Sequence, residues 1–133
     1  MISTFDELLL AARQQPHAQH LLLVYTQAEL PEDSSPAQKA AFEAGSGGAL
    51  VPVTCVDKSA SELTSFAELE IEAQAFVQDW DVLFAAAIDI RPDQKHSDSI
   101  IDTAMNQVIE RVKSGQIGGL ISFDRTGTAI SLA

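Results

Sequence analysis

The chain has 133 residues, enough for one domain with its own core and no reliance on disulfides or metals. Its 8 basic and 19 acidic residues give a net charge of −11, which repels phosphate backbones and anionic lipid headgroups and so disfavours nucleic acid and membrane as partners. A single cysteine excludes an internal disulfide. The N-terminus carries Asp6 and Glu7 where a signal peptide carries Lys or Arg, and no apolar run approaches the ~20 residues of a membrane span, so the expected location is cytoplasmic.

In chain order, Thr4-x-x-Glu7 forms a capping box, and Phe5, Leu8, Leu9 and Ala12 share one face of a first helix that Pro16 stops. His20–Tyr25 (HLLLVY) reads as a buried strand continuing to about Thr26. After the acidic loop Ala28–Ser35, Ser35-Pro36-x-Gln38 starts a short peripheral helix containing Phe42, which Gly45-Ser46-Gly47-Gly48 ends. Ala49–Val56 is the next strand, with Val51, Val53 and Cys55 on one face. Pro52 cannot donate to a ladder, which predicts an edge position or a bulge.

Ser59-x-x-Glu62 then predicts the cap of the longest helix, its core face running Leu63, Phe66, Leu69, Ala73, Phe76 and Trp80. Ile71 falls off that face, beside Ala67 and Ala75, a hint of an interface. Asp81–Ile90 (DVLFAAAIDI) is the most apolar stretch and reads as a strand buried on both faces, in the middle of the core. A polar loop, Arg91–Ser97, leads to a helix opened by Asp98 and Asp102 and closed by Arg111, Lys113 and Gly115, with Ile101, Ala104, Met105, Val108 and Val112 as its buried stripe. Leu120–Phe123 and Thr128–Leu132 form a hairpin around Asp124-Arg125-Thr126-Gly127.

The resulting order, α-β-α-β-α-β-α-β-β, predicts a single α/β domain spanning 1–133. About five strands carry four packed helices, and the C-terminal β-hairpin lies at one edge; an α+β fold with a mixed sheet is the alternative.

Candidate chemistry is sparse. The Gly45–Gly48 run follows a helix instead of leading into one and has no Lys-Ser or Lys-Thr after it, so it reads as a helix end, not a phosphate loop. Cys55 in a valine-rich strand reads first as a small buried hydrophobe, and alternatively as a nucleophile helped by nearby Lys58. His17-x-x-His20 lacks a third ligand, and the Asp89, Asp93, His96 and Asp98 loop reads as solvated, so neither a metal nor any other cofactor is expected. In open parallel sheets ligands bind beyond the carboxyl ends of the strands. With the first three strands parallel, Thr26-Gln27, Asp57-Lys58 and Asp89-Arg91 would gather on one rim, placing Lys58 and Arg91 beside Asp57 and Asp89 as a small polar or anion site.

Several segments together carry a resemblance: Phe5-Asp6-Glu7-Leu8-Leu9, Glu29-Leu30-Pro31, Gly47-Gly48-Ala49-Leu50-x-Pro52-Val53, Cys55-Val56-Asp57-Lys58, Gln78-Asp79-Trp80-Asp81 and Ile117-Gly118-Gly119 with Phe123-Asp124. Over nearly its whole length the chain resembles a small proteobacterial family labelled "ribonucleotide reductase subunit alpha". The chemistry of that label needs a thiyl radical on one cysteine and reducing equivalents from a cysteine pair, which Cys55 by itself cannot supply, and the family implies no catalytic residues here.

The sequence thus predicts an acidic, non-catalytic binding or accessory protein whose partner is another protein or its own copy. The competing expectation is a small thiol- or ligand-dependent enzyme using Cys55, or the Asp89 and Arg91 rim.

Overall fold

The computed structural model describes residues 2–29, 35–43, 49–90 and 97–131. Its elements run α1 (Phe5–Arg13), β1 (Ala18–Glu29), α2 (Pro36–Glu43), β2 (Ala49–Ser59), α3 (Phe66–Ala73), β3 (Val82–Ile90), α4 (Ser97–Lys113), β4 (Ile121–Phe123) and β5 (Ala129–Ile130). The five strands form one sheet in the order β2-β1-β3-β4-β5, and every neighbouring pair is antiparallel.

This corrects the parallel α/β expectation to an α+β fold, and the sheet is not mixed either. Because β2 and β3 both run antiparallel to β1, they are parallel to each other but never paired. The α3 link passes from one to the other across β1. The expectation of four packed helices also contracts. The residues of α2 whose burial is described are all exposed, and among the described residues the helical core side chains come from α1, α3 and α4.

Alternation along β1 divides the core into two layers. Leu21, Leu23 and Tyr25 face α1 and α3, packing with Phe5, Leu9, Leu69, Trp80, Leu83 and Phe123. Leu22 and Val24 face α4, packing with Phe84, Met105, Val108 and Val112. Leu21–Thr26 is therefore buried on both faces, the environment assigned to Asp81–Ile90 from sequence. β3 does lie third of five in the sheet, but only Val82–Ala85 is fully buried. Beyond that point Ala87 and Asp89 are exposed on the α1 and α3 side, and only the α4 side stays covered.

Local signals account for most boundaries. Thr4 Oγ1 accepts the Glu7 amide at 3.2 Å, so α1 starts where its capping box lies. The α3 boundary differs from expectation. β2 continues through Ser59, Ala60–Leu63 turns back, and the working cap is Ser65, whose side chain accepts from Glu68 N–H. The shorter α3 follows from what happens after β2. Arg13 of α1 donates through Nε to Ala60 O at 3.0 Å and through its terminal nitrogen to Leu63 O, holding this stretch as a turn. The longest helix is consequently α4, with 17 residues. Phe76 lies outside any helix and is exposed, while Trp80 is buried ahead of β3 beneath Arg125, whose guanidinium carbon is 5.6 Å from the ring centre.

Pro52 sits in an edge strand and beside a bulge, so both readings of that residue hold. Tyr25 pairs with Thr54 but Thr26 with Pro52, leaving Val53 as the extra residue. The bulge also reverses the alternation. Val51 and Cys55, expected on one face, lie on opposite faces because Val51 pairs with Gln27 and Cys55 with Val24.

The two sheet edges are treated differently. At β5 the N-terminal segment closes the edge: Ala129 N–H donates to Ser3 O and Phe5 N–H to Gly127 O, both at 2.8 Å, around a Thr4–Thr128 bridge. Gly127 takes φ +81°, and a Cβ there would lie 2.8 Å from the Phe66 ring. We expect Gly127→Ala to cost at least about 2 kcal/mol, from left-handed strain plus overpacking. Gly115→Ala has the same sign of φ but open space around it, and should cost only about 1 kcal/mol. Urea unfolding of both variants checks the contrast.

Candidate functional site

The rim expected from parallel strands does not assemble. Antiparallel pairing places Thr26, near the C-terminal end of β1, beside Val82 at the start of β3, while Asp57, Lys58 and Asp89 lie at the other end of the sheet. Thr26 is fully buried and its hydroxyl donates to Val82 O at 2.7 Å, a structural bond that leaves nothing for a ligand. Gln27, its neighbour, is half-buried. Arg91, with the rest of the loop holding Asp93 and His96, lies outside the described residues.

The three charged residues left at the far end do not converge. Asp57 pairs with Leu22 and so projects on the α4 side, where its Oδ2 is 2.6 Å from His20 Nε2. Lys58 pairs with Leu21, projects on the α3 side and forms an ion pair with Glu72. Asp89 is on that same side but accepts from the Gln19 side-chain amide. Each group has a local partner, so the arrangement ties strands and α3 together and leaves no shared cavity.

Cys55 is exposed, not buried. The reason is its position: it stands on an edge strand, with a neighbour on one side only. The help expected from Lys58 is missing, because successive odd steps along the strand put Lys58 on the opposite face. His20 shares the face of Cys55 but lies opposite Ser59, four residues along the ladder, or about 13 Å at the usual rise per residue. The His20 ring is instead held by Asp57, its Nε2 2.6 Å from Oδ2. Among the described residues no group of three or more His, Cys, Asp and Glu side chains is placed to hold a metal.

Two features lay beyond the sequence reading. The first is a buried polar pair under α3. The Tyr25 hydroxyl and Glu70 Oε1 are both buried without a hydrogen-bond partner. Tyr25 is packed edge-on against Trp80 and Phe76, with centroids 5.1 and 6.3 Å away. Burial, reinforced by the negative charges of Glu70 and Glu72, pushes its phenol well above the usual range. No periodicity marks Glu70 as different from the other acids of α3.

The second feature is the outer edge of β2. Ala60 N–H donates to Gln19 O at 3.0 Å, which sets the phase of the β1–β2 ladder. Bonded pairs alternate in an antiparallel ladder, so Lys58, Val56 and Thr54 direct their backbone groups at β1. Ser59, Asp57 and Cys55 direct theirs outward. Among the described residues no strand pairs with that side. Val53, the bulged residue beside it, is 42% exposed. Pro52 was the one sequence signal for this edge.

No family model, curated protein or solved structure matches this chain. Among the described residues, no helix is long and apolar enough to cross a membrane.

Two measurements test this geometry. Tyr25 is the chain's only tyrosine. The native protein should therefore show no phenolate absorbance just above the ordinary phenol pKa of about 10, where the unfolded chain does. Since only the unfolded state loses that proton, stability falls as pH rises through this range, and Tyr25→Phe should resist alkaline unfolding to higher pH. Separately, Cys55 should react completely with a thiol probe under native conditions, without waiting for unfolding.

Proposed function

We propose that this chain is a non-catalytic binding or accessory protein that docks a protein partner through the outer edge of β2. The observation carrying the reading is the unequal treatment of the two sheet edges. The β5 edge is short and covered by residues 3–5, whereas β2 is 11 residues long and directs the backbone of Cys55, Asp57 and Ser59 outward. Open strand edges accept an added strand through main-chain hydrogen bonds. Pro52 and the bulge at Val53 confine docking to Thr54–Ser59 and protect against indiscriminate sheet growth. An interface of this length belongs to the weak, reversible class. The lone cysteine and the charge of −11 support a cytoplasmic setting without nucleic acid or membrane as partner.

The exposure of Cys55 supports the competing reading, a small thiol- or ligand-dependent enzyme. Against that reading stand the position of Lys58 on the other face and the pairing of His20 with Asp57. The reductase label is left out of the proposal, because its chemistry requires more than one thiol.

Cys55→Pro tests the docking element. It removes an outward N–H, spares the bonds to β1 and places Pro where edge strands tolerate it. With its fold checked by circular dichroism, the variant should lose a partner that the unaltered chain retains from an extract of the source cell. Equal capture by both would rule out the β2 edge, and a chain that retains no partner and sediments as a monomer would count against a docking role altogether.

A further inference from the structure

We propose that the element accepted by β2 is an extended segment of another protein carrying Lys or Arg on both of its faces. This rests on the docking reading above and adds the chemistry of the partner. A strand laid along Thr54–Ser59 would send its side chains alternately to the two sides of the sheet. On the α4 side they meet Asp57, an exposed carboxylate bound on its other flank by His20. On the other side they meet Glu72, itself half-exposed beside Lys58. Exposed Glu62 follows in the turn after β2. Asp57 and Glu72 thus border the open edge on its two sides, paired to His20 and Lys58.

Charge also decides between the possible occupants. A second copy would bring its own net charge of −11 to the same edge and set Asp57 and Glu72 of each chain near their counterparts. A neutral strand would satisfy the backbone but gain nothing from the negative field of a chain with net charge −11. Cations at neighbouring positions, whose side chains point to opposite faces, supply both, with main-chain bonds holding the segment and the carboxylates selecting it. The attraction also works at a distance, raising the rate at which such a segment meets the edge.

The test uses the full chain and three synthetic eight-residue peptides, followed by fluorescence anisotropy at low and at physiological salt. One repeats Lys-Lys-Val-Val, so that Lys stands on both faces, one carries Gln in place of Lys, and one is the Lys peptide with its alternate backbone nitrogens methylated so that it cannot donate along the edge. The Lys peptide should bind at least about tenfold more tightly than the Gln peptide, with an advantage that shrinks as salt rises. The methylated peptide should not bind. Asp57→Asn combined with Glu72→Gln should remove the Lys advantage while leaving binding of the Gln peptide unchanged.

Equal, salt-insensitive binding of the Lys and Gln peptides would overturn the charge inference and leave strand addition standing. Binding of the methylated peptide as tightly as its parent would reduce the effect to diffuse attraction and overturn both. No binding by any of the three would also overturn both. A chain that instead sediments as a dimer, and becomes a monomer on Cys55→Pro, would give the edge to a second copy.

Discussion

Everything in this fold depends on β1 being buried from Leu21 to Thr26 on both faces while hydrogen-bonded along both sides. A strand in that position has no surface of its own. Its odd-numbered side chains need a layer of helix on one side, its even-numbered ones need another, and its backbone must be satisfied by two neighbouring strands. The layer of α1 and α3, the layer of α4 and the flanking β2 and β3 meet those four requirements. β1 supplies both cores of the molecule, so a one-residue change in its register would move every one of its apolar residues into the wrong layer.

That constraint also explains where the protein can interact. Antiparallel pairing with β1 sends β2 to the outside of the sheet, with half of its backbone groups turned away from the core. The opposite edge is finished by the chain's own N-terminal residues, which add Thr4 against Thr128 and tie α1 to the C-terminal hairpin. The hairpin is braced in turn by Asp124. Its carboxylate accepts from Thr126 Oγ1, Thr126 N–H and Thr128 N–H, with the side-chain bond to Thr126 the main cause of its lowered pKa. One edge is therefore built shut. Among the described residues the other carries only a proline and a bulge as protection, and its open part is bordered by acids from two layers.

The small chemical groupings of the site follow from the same ladder. His20 meets Asp57 because they are diagonal neighbours across β1 and β2, and Lys58 meets Glu72 because α3 crosses above that strand pair. These are contacts between elements apart in sequence, each linking a carboxylate to a basic side chain that a chain-order reading treats separately. Tyr25 and Glu70 belong to the same class. A tyrosine at the end of an apolar run reads as core, which it is, but the placement of its hydroxyl near an acid of α3 emerges only when α3 is laid on β1. The site proposed from sequence failed for a related reason: Thr26, Asp57 and Asp89 each lie near the C-terminal end of a strand, and strand direction decides which ends meet.

What the amino-acid sequence determined by itself is local: the cap at Thr4, the stripe of Ile101, Met105, Val108 and Val112, the turn at Gly127, the existence of five strands, and the confinement of Pro52 to an edge or bulge. Each depends on backbone preference or side-chain periodicity over a few residues, which composition encodes directly. Only the tertiary structure decided strand direction, the early end of α3, the exposure of Cys55 and the openness of β2. Alternating helices and strands are compatible with parallel or antiparallel pairing alike. The choice is made by which apolar faces meet across distant segments, as when Arg13 of α1 holds the turn that a local cap at Ser59 would otherwise have turned into helix.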